Sequence, residues 1–173
     1  SAPLFQIWGE SASDRLGFEA TVGDVNGDEY GDIICAAIAG NPLGTRPGAG
    51  QVYVIHGGPG LSGTRNLYTD AANVATRIMG GEIGDTAGQA VASGDVNLDG
   101  VDDVIIGAHQ ADPLDRDSAG ILYVLYGGTA AGGDLLPAVV DLANDAEVDV
   151  MVYGKAAGDG LGFQARVFNF NGD

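Results

Sequence analysis

Three stretches of the chain align with one another without a gap, and this repetition restricts the possible folds more than any other feature. "WGESASDRLGFEATVGDVNGD" starts at Trp8, "MGGEIGDTAGQAVASGDVNLD" at Met79 and "YGKAAGDGLGFQARVFNFNGD" at Tyr153, spaced 71 and 74 residues apart. Gly9, Gly80 and Gly154 coincide, as do Asp14, Asp85 and Asp159, and Gly17, Gly88 and Gly162. Further on, "DIICAA" matches "DVIIGA", and "GAGQVYVIHGG" matches "SAGILYVLYGG".

Each unit reads as four short strands. They are "GFEATV" or "GQAVAS", "DIICAAI" or "DVIIGA", "GQVYVIHG" or "GILYVLYG", and "VATRIMG" or "VDVMVYG". Val, Ile and Tyr dominate them, and Gly- and Pro-rich turns separate them. No segment has an amphipathic helical period; "LLPAVVDLAND" has room for a helical turn, which Pro137 limits. Repeated four-stranded antiparallel units predict an all-β fold of β-propeller blades, about two complete ones with flanking strands of a larger or assembled propeller. A β-sandwich accounts for the strands but not for the fixed period. The expected organisation is an outer strand of a preceding blade and its connection over 1–16, one blade over 17–80, a second over 81–154, and the start of a third over 155–173.

The charge narrows the partners. Seven Lys and Arg stand against 24 Asp and Glu, for a formal net charge of −17. That argues against nucleic acid and anionic membrane surfaces as partners and favours cations, or plain solubility. No apolar run approaches the roughly 18 residues of a membrane span. The single cysteine, Cys35, lies in an apolar strand and is expected to be buried.

Much of the negative charge is concentrated in the two loops between first and second strands. Counting from Asp24, side-chain oxygens fall at places 1, 3, 5 and 9: Asp24, Asn26, Asp28 and Asp32. The second loop offers Asp95, Asn97, Asp99 and Asp103 in the same places. Place 7, Tyr30 or Val101, can add its backbone carbonyl. Three carboxylates, an amide and a carbonyl form an all-oxygen set suited to Ca²⁺ more than to Mg²⁺. An EF-hand is excluded because place 12 is Cys35 or Ile106 and the flanks are strands. A catalytic carboxylate pair needs a cleft and a partner of different chemistry. Plain solvated Asp/Asn/Gly turns account for one such loop better than for two in register. The Glu29 backbone is expected to strain the first loop, so the second reads as the better site. Asn169, Asn171 and Asp173 form a third, weaker copy.

The chain resembles the FG-GAP repeat family, the blades of integrin α-subunit propellers and their bacterial relatives. The Phe-Gly position reads "LG" at Leu16, "AG" at Ala87 and "LG" at Leu161, and the Gly-Ala-Pro position reads "AAI" at Ala36 and "GAH" at Gly107. "ADPLDRDSAG" and "LYGG" look like bacterial secreted versions. The resemblance implies Ca²⁺ in the acidic loops and an extracellular or cell-surface location. It also implies a non-catalytic role in adhesion or in protein or glycan interaction. The alternative is an accessory region of a secreted enzyme, such as a lyase or phospholipase, whose catalytic residues lie elsewhere. The family's propellers usually have seven blades, roughly 500 residues at this period. Other blades of the same protein, or other copies of the chain, are therefore the expected partners.

No other residue makes a catalytic set. His56 and His109 are expected at a strand end and in a loop, with no nucleophile-elbow motif beside them. Asp14, Asp85 and Asp159 read as turn residues, and Trp8 and the third-strand tyrosines as packing residues. Arg46 and Arg116 align in the loops after the second strands, with a local ion pair to Asp112, Asp115 or Asp117 the preferred role of Arg116.

Overall fold

The computed structural model describes residues 5–69 and 75–168. Two antiparallel sheets dominate it. In the first, β2 (Leu16–Gly23), β3 (Asp32–Ala37), β4 (Gln51–Ile55) and β6 (Thr76–Met79) follow one another as neighbours. In the second, β7 (Ala90–Gly94), β8 (Asp103–Ala108), β9 (Ile121–Leu125) and β11 (Val150–Tyr153) do the same. These are two propeller blades, and the eight strands lie where the sequence pattern puts them.

Side chains alternate strictly between faces, as a strand requires. Ile34, Ala36, Val52 and Val54 point toward the second blade, while Cys35, Ala37, Tyr53 and Ile55 point away from it. From the second blade, Val104, Ile106, Tyr123 and Leu125 complete the shared core. Ile34, Val104 and Ile106 are completely buried, and burial of one such side chain is worth about 1.5–3 kcal/mol. Small residues let the sheets approach: a Cβ added at Gly88 would strike Ala36, and one at Gly50 would strike the Ala87 backbone.

Two short strands, β5 (Gly63–Asn66) and β10 (Val139–Asp141), go beyond the expected ones, and each pairs with an outer strand. β1 (Phe5–Trp8) pairs in parallel with β5. β10, which falls between β9 and β11 in the chain, pairs in parallel with β6 of the first blade. The two pairings are equivalent. Phe5–Trp8 aligns with Thr76–Met79, and β5 and β10 both fall between the third and fourth strands of their units. Each unit therefore lends a strand to the outer edge of the unit before it.

"LLPAVVDLAND" accordingly forms β10 rather than a helical turn. A single 3₁₀ turn, Asp145–Glu147, follows it and is capped by the Asn144 side chain. Residues 162–168, expected to open a third blade, carry no strand pairing; only Leu161 bridges, to Gly120. A first strand earns its ladder from the second strand of its own blade, and no such partner lies among the described residues. The segment instead lies on the far face of the second blade, where Ala165 and Val167 cover Ala92, Ile105 and Val124.

Candidate metal centre

The acidic loops join β2 to β3 and β7 to β8, at the same end of the two blades. Each is folded by its own acidic side chains. Asp24 Oδ1 accepts from the N–H groups of Gly27 and Asp28, and Oδ2 from that of Glu29. Asp95 repeats this with Leu98, Asp99 and Gly100. Asn26 and Asn97 accept from Asp28 and Asp99, each at 2.9 Å, and those aspartates accept from Tyr30 and Val101, each at 2.9 Å. Short polar side chains thus take the place of a regular backbone ladder, as in Asx turns.

Places 4 and 6 of both loops adopt a left-handed backbone. The first loop has Gly27 and Glu29 there, with φ of 70° and 69°; the second has Leu98 and Gly100, with φ of 64° and 91°. Each loop therefore places one glycine and one non-glycine in the strained region. The expected disadvantage of the first loop is thus corrected: Glu29 has its counterpart in Leu98.

The closing aspartates, Asp32 and Asp103, are completely buried. Asp32 Oδ2 accepts from Val25 N–H at 3.1 Å and Oδ1 from Gly57 N–H at 2.8 Å. Asp103 accepts from Val96 N–H at 2.8 Å and Gly127 N–H at 3.0 Å. Burial pushes both carboxyls above their ordinary pKa, against the lowering effect of these N–H groups. Gly57 and Gly127 were not among the predicted site residues. Their signal was present in the repeated "HGG" and "YGG" after the third strands. A side chain there would strike the backbone of Gly31 or Asp102. The two loops are also joined, since Asp24 N–H donates to Asp102 Oδ2 at 3.0 Å and Asp102 N–H to the Asp24 carbonyl at 2.9 Å.

The oxygen set of each loop suits a hard divalent cation. Among the described residues, however, no three or more His, Cys, Asp or Glu side chains are drawn together to hold a metal ion. Neighbouring members meet in pairs, Asn97 with Asp99 at 2.8 Å and Asn26 with Asp32 at 3.4 Å. The carboxylates otherwise face backbone N–H groups, so ligation requires them to turn toward a common centre. Tyr30 is exposed and Val101 buried at place 7. Asn169, Asn171 and Asp173 lie outside the described residues.

The remaining predicted positions fall as follows. Cys35 is buried, and burial pushes its thiol up to about 12. His56 is exposed, and His109 contacts Thr86 at 3.1 Å and the edge of Phe163. Asp85 and Asp159 close turns by accepting from Glu82 and Ala156 N–H. Trp8 is an exception to the packing expectation, with more than half its surface exposed, whereas Tyr53 and Tyr123 are buried. Arg116 forms no ion pair with the neighbouring aspartates. Its guanidinium donates to the carbonyls of Pro113 and Lys155, because its loop turns it toward the connection after β11.

Two stacked four-stranded blades with paired acidic loops define a β-propeller repeat protein. The FG-GAP repeat model matches residues 16–55 and 87–125, and the chain belongs to the FG-GAP repeat family. Among curated relatives, the chain is similar to phosphatidylinositol-glycan-specific phospholipase D of Homo sapiens. The two are 31% identical over 149 residues, which is 84% of this chain and 17% of the relative. The Bos taurus protein of the same name is 33% identical over 138 residues, 73% of this chain and 16% of the relative. That of Dictyostelium discoideum is 26% identical over 173 residues, 96% of this chain and 18% of the relative. The chain thus spans under a fifth of the length of these relatives. No helix among the described residues is long and apolar enough to cross a membrane.

Proposed function

We propose that this chain is a Ca²⁺-binding, non-catalytic propeller segment and an accessory region of an extracellular phospholipase-type enzyme. The observation that supports Ca²⁺ most directly is the buried closing aspartate, found in both loops with the same two backbone donors and the same oxygens in front of it. A carboxylate buried at this cost gains most from a divalent cation beside it. Asp24, Asn26, Asp28, Asp32 and the Tyr30 carbonyl hold one ion. Asp95, Asn97, Asp99, Asp103 and the Val101 carbonyl hold the other, and Asn169, Asn171 and Asp173 add a weaker site. The ions fix the ends of the inner strands. The segment then serves protein or glycan interaction next to other blades of the same protein or other copies of the chain. The likeness to phospholipase D supports the enzyme setting and an extracellular or cell-surface location.

Thermal melting tests the metal. An ion bound only to the folded state stabilises by mass action, about 2.7 kcal/mol at a hundredfold excess over Kd. The melting temperature is expected to rise with Ca²⁺, to rise much less with Mg²⁺ and to fall back in chelator. Identical curves in chelator and in millimolar Ca²⁺ would remove the metal from the reading.

A further inference from the structure

A cavity of about 510 Å³ opens at the other end of β8 from the metal loops. Glu82, Asp85, Asp112, Asp115, Asp117 and Asp145 line it, and among the described residues no Lys, Arg or His does. Acidic residues at a surface are ordinarily satisfied by water, so their number alone decides nothing. Tyr123 adds the independent observation. It lines the cavity, is only 3% exposed, and its hydroxyl forms no hydrogen bond with a described residue. Among the described residues, no fully enclosed side-chain polar atom is left without a partner. The Tyr123 hydroxyl therefore opens into the cavity.

The first blade shows what occupies the equivalent position there. Tyr53 aligns with Tyr123 and likewise faces the preceding unit. Its hydroxyl donates to Glu10 Oε2 at 2.8 Å. Arg77, directly across from Tyr53 in the β4–β6 ladder, reaches the same oxygen at 3.3 Å. The Arg77 guanidinium also lies over the Tyr53 ring, 5.7 Å from its centroid. In the second blade the residue across from Tyr123 is Met151. The loop positions held by Asn41, Gly44 and Pro47 in the first unit are Asp112, Asp115 and Asp117 in the second. The second blade therefore keeps the tyrosine, gains carboxylates and lacks the cation.

We propose that this cavity binds a guanidinium group supplied from outside the chain, seated against Tyr123 and held by Asp85 and Asp112 as Arg77 is held by Tyr53 and Glu10. Guanidinium suits the place because its planar fork of N–H groups donates to several acceptors at once, here the Tyr123 hydroxyl oxygen and the carboxylates beside it. Burial already holds the Asp85 carboxyl up at about 6, a cost that an incoming cation offsets. The group arrives either on a small molecule or on an arginine side chain of a partner protein. The inference does not depend on Ca²⁺, because the two kinds of site lie at opposite ends of β8.

Calorimetric titration of the intact protein in constant Ca²⁺, with agmatine in one arm and a capped Gly-Arg-Gly peptide in the other, tests this. One-site binding of either probe is expected, weakened at least tenfold by Tyr123→Phe and abolished by Met151→Arg, which supplies the cation internally. Met151→Arg is also expected to raise the melting temperature. Binding of agmatine but not of the peptide identifies a small-molecule source; binding of the peptide identifies an arginine side chain. The exposed-loop double variant Asp112→Asn/Asp117→Asn is expected to weaken binding at least tenfold without a folding defect, and covers the case in which a strand variant fails to fold. No binding of either probe, or unchanged affinity in the double variant, overturns the proposal.

Discussion

Arg46 and Asp141 are joined by two parallel hydrogen bonds, Nη1 to Oδ1 at 2.6 Å and Nη2 to Oδ2 at 2.8 Å. Arg46 lies in the loop after β3, and Asp141 ends the strand that the second unit lends to the first. Arg46 also donates to the Gly80 carbonyl at 3.0 Å. The pair therefore fastens the exchanged strand across the seam between blades. Both side chains are about a quarter exposed or less, at 21% and 24%. Bidentate geometry gives such a pair more than an ordinary surface ion pair, though water still screens it. Arg46→Ala is expected to cost about 1–2 kcal/mol in urea unfolding at neutral pH, and Arg46→Lys to retain under half of the pair's contribution. The Arg46 hydrogen bond holds Asp141 below its ordinary pKa of 3.8. The contribution is therefore complete above that value and lost as pH falls beneath it. A double-mutant cycle with Asp141→Ala that shows coupling at pH 7 and progressively less as pH falls below 3.8 is the expected result.

The closing aspartate and the loop asparagine should respond differently to truncation. Asp103→Ala leaves the buried N–H groups of Val96 and Gly127 without acceptors. That costs about 1–3 kcal/mol for each, with or without metal. Asn97 is exposed, and Asn97→Ala is expected to leave metal-free stability nearly unchanged. In Ca²⁺ titrations both variants weaken the second site, Asp103→Ala more so because a full charge is lost. Unchanged Ca²⁺ affinity and stoichiometry in Asp103→Ala would show that the loop is only a hydrogen-bonded turn.

The glycines that separate the strands fall into two classes that unfolding experiments can tell apart. Gly50 has φ of 86° and lies against the Ala87 backbone, which a Cβ would penetrate; Gly44 has φ of 69° and nothing within 4 Å. Gly44→Ala carries the backbone penalty alone, about 1 kcal/mol. Gly50→Ala must also push the blades apart, and a loss of more than about 3 kcal/mol is expected. Equal losses in chemical denaturation would mean that the blades are not in contact at Gly50.

The repeat made the eight main strands and both acidic loops legible, because alternation and Asp/Asn spacing are local signals. The lent strands were not legible. β5 and β10 are four and three residues long, "GTRN" and "VVD", too short for any alternation to be read. Their partners are set by the neighbouring unit rather than by adjacent sequence. Arg46 and Asp141 are 95 residues apart, and nothing near Arg46 names its partner. Glu29 looked exceptional only because Leu98, in the other left-handed place, carries no sequence warning. The difference between Tyr53 and Tyr123 lies in the residues across the ladder, Arg77 and Met151, and emerges only once the register is known.

Asp85 should give the fold a measurable acid dependence. Its side chain is buried, and burial is the main cause that pushes its pKa up to about 6, with Glu82 and Asp112 adding repulsion. A carboxyl raised on folding binds its proton more tightly in the folded state. Its ionisation therefore costs stability as pH rises from about 4 through 6, and the cost is complete above that range. Acidification across this window should stabilise the protein through Asp85, opposite in sign to the effect of Asp141 at lower pH. Asp85→Asn keeps an oxygen for the Glu82 N–H and removes the charge. The variant is expected to match or exceed the parent in stability at pH 7 and to show a flatter stability profile between pH 4 and 6. A profile as steep as the parent's across that window would assign the titration to another group.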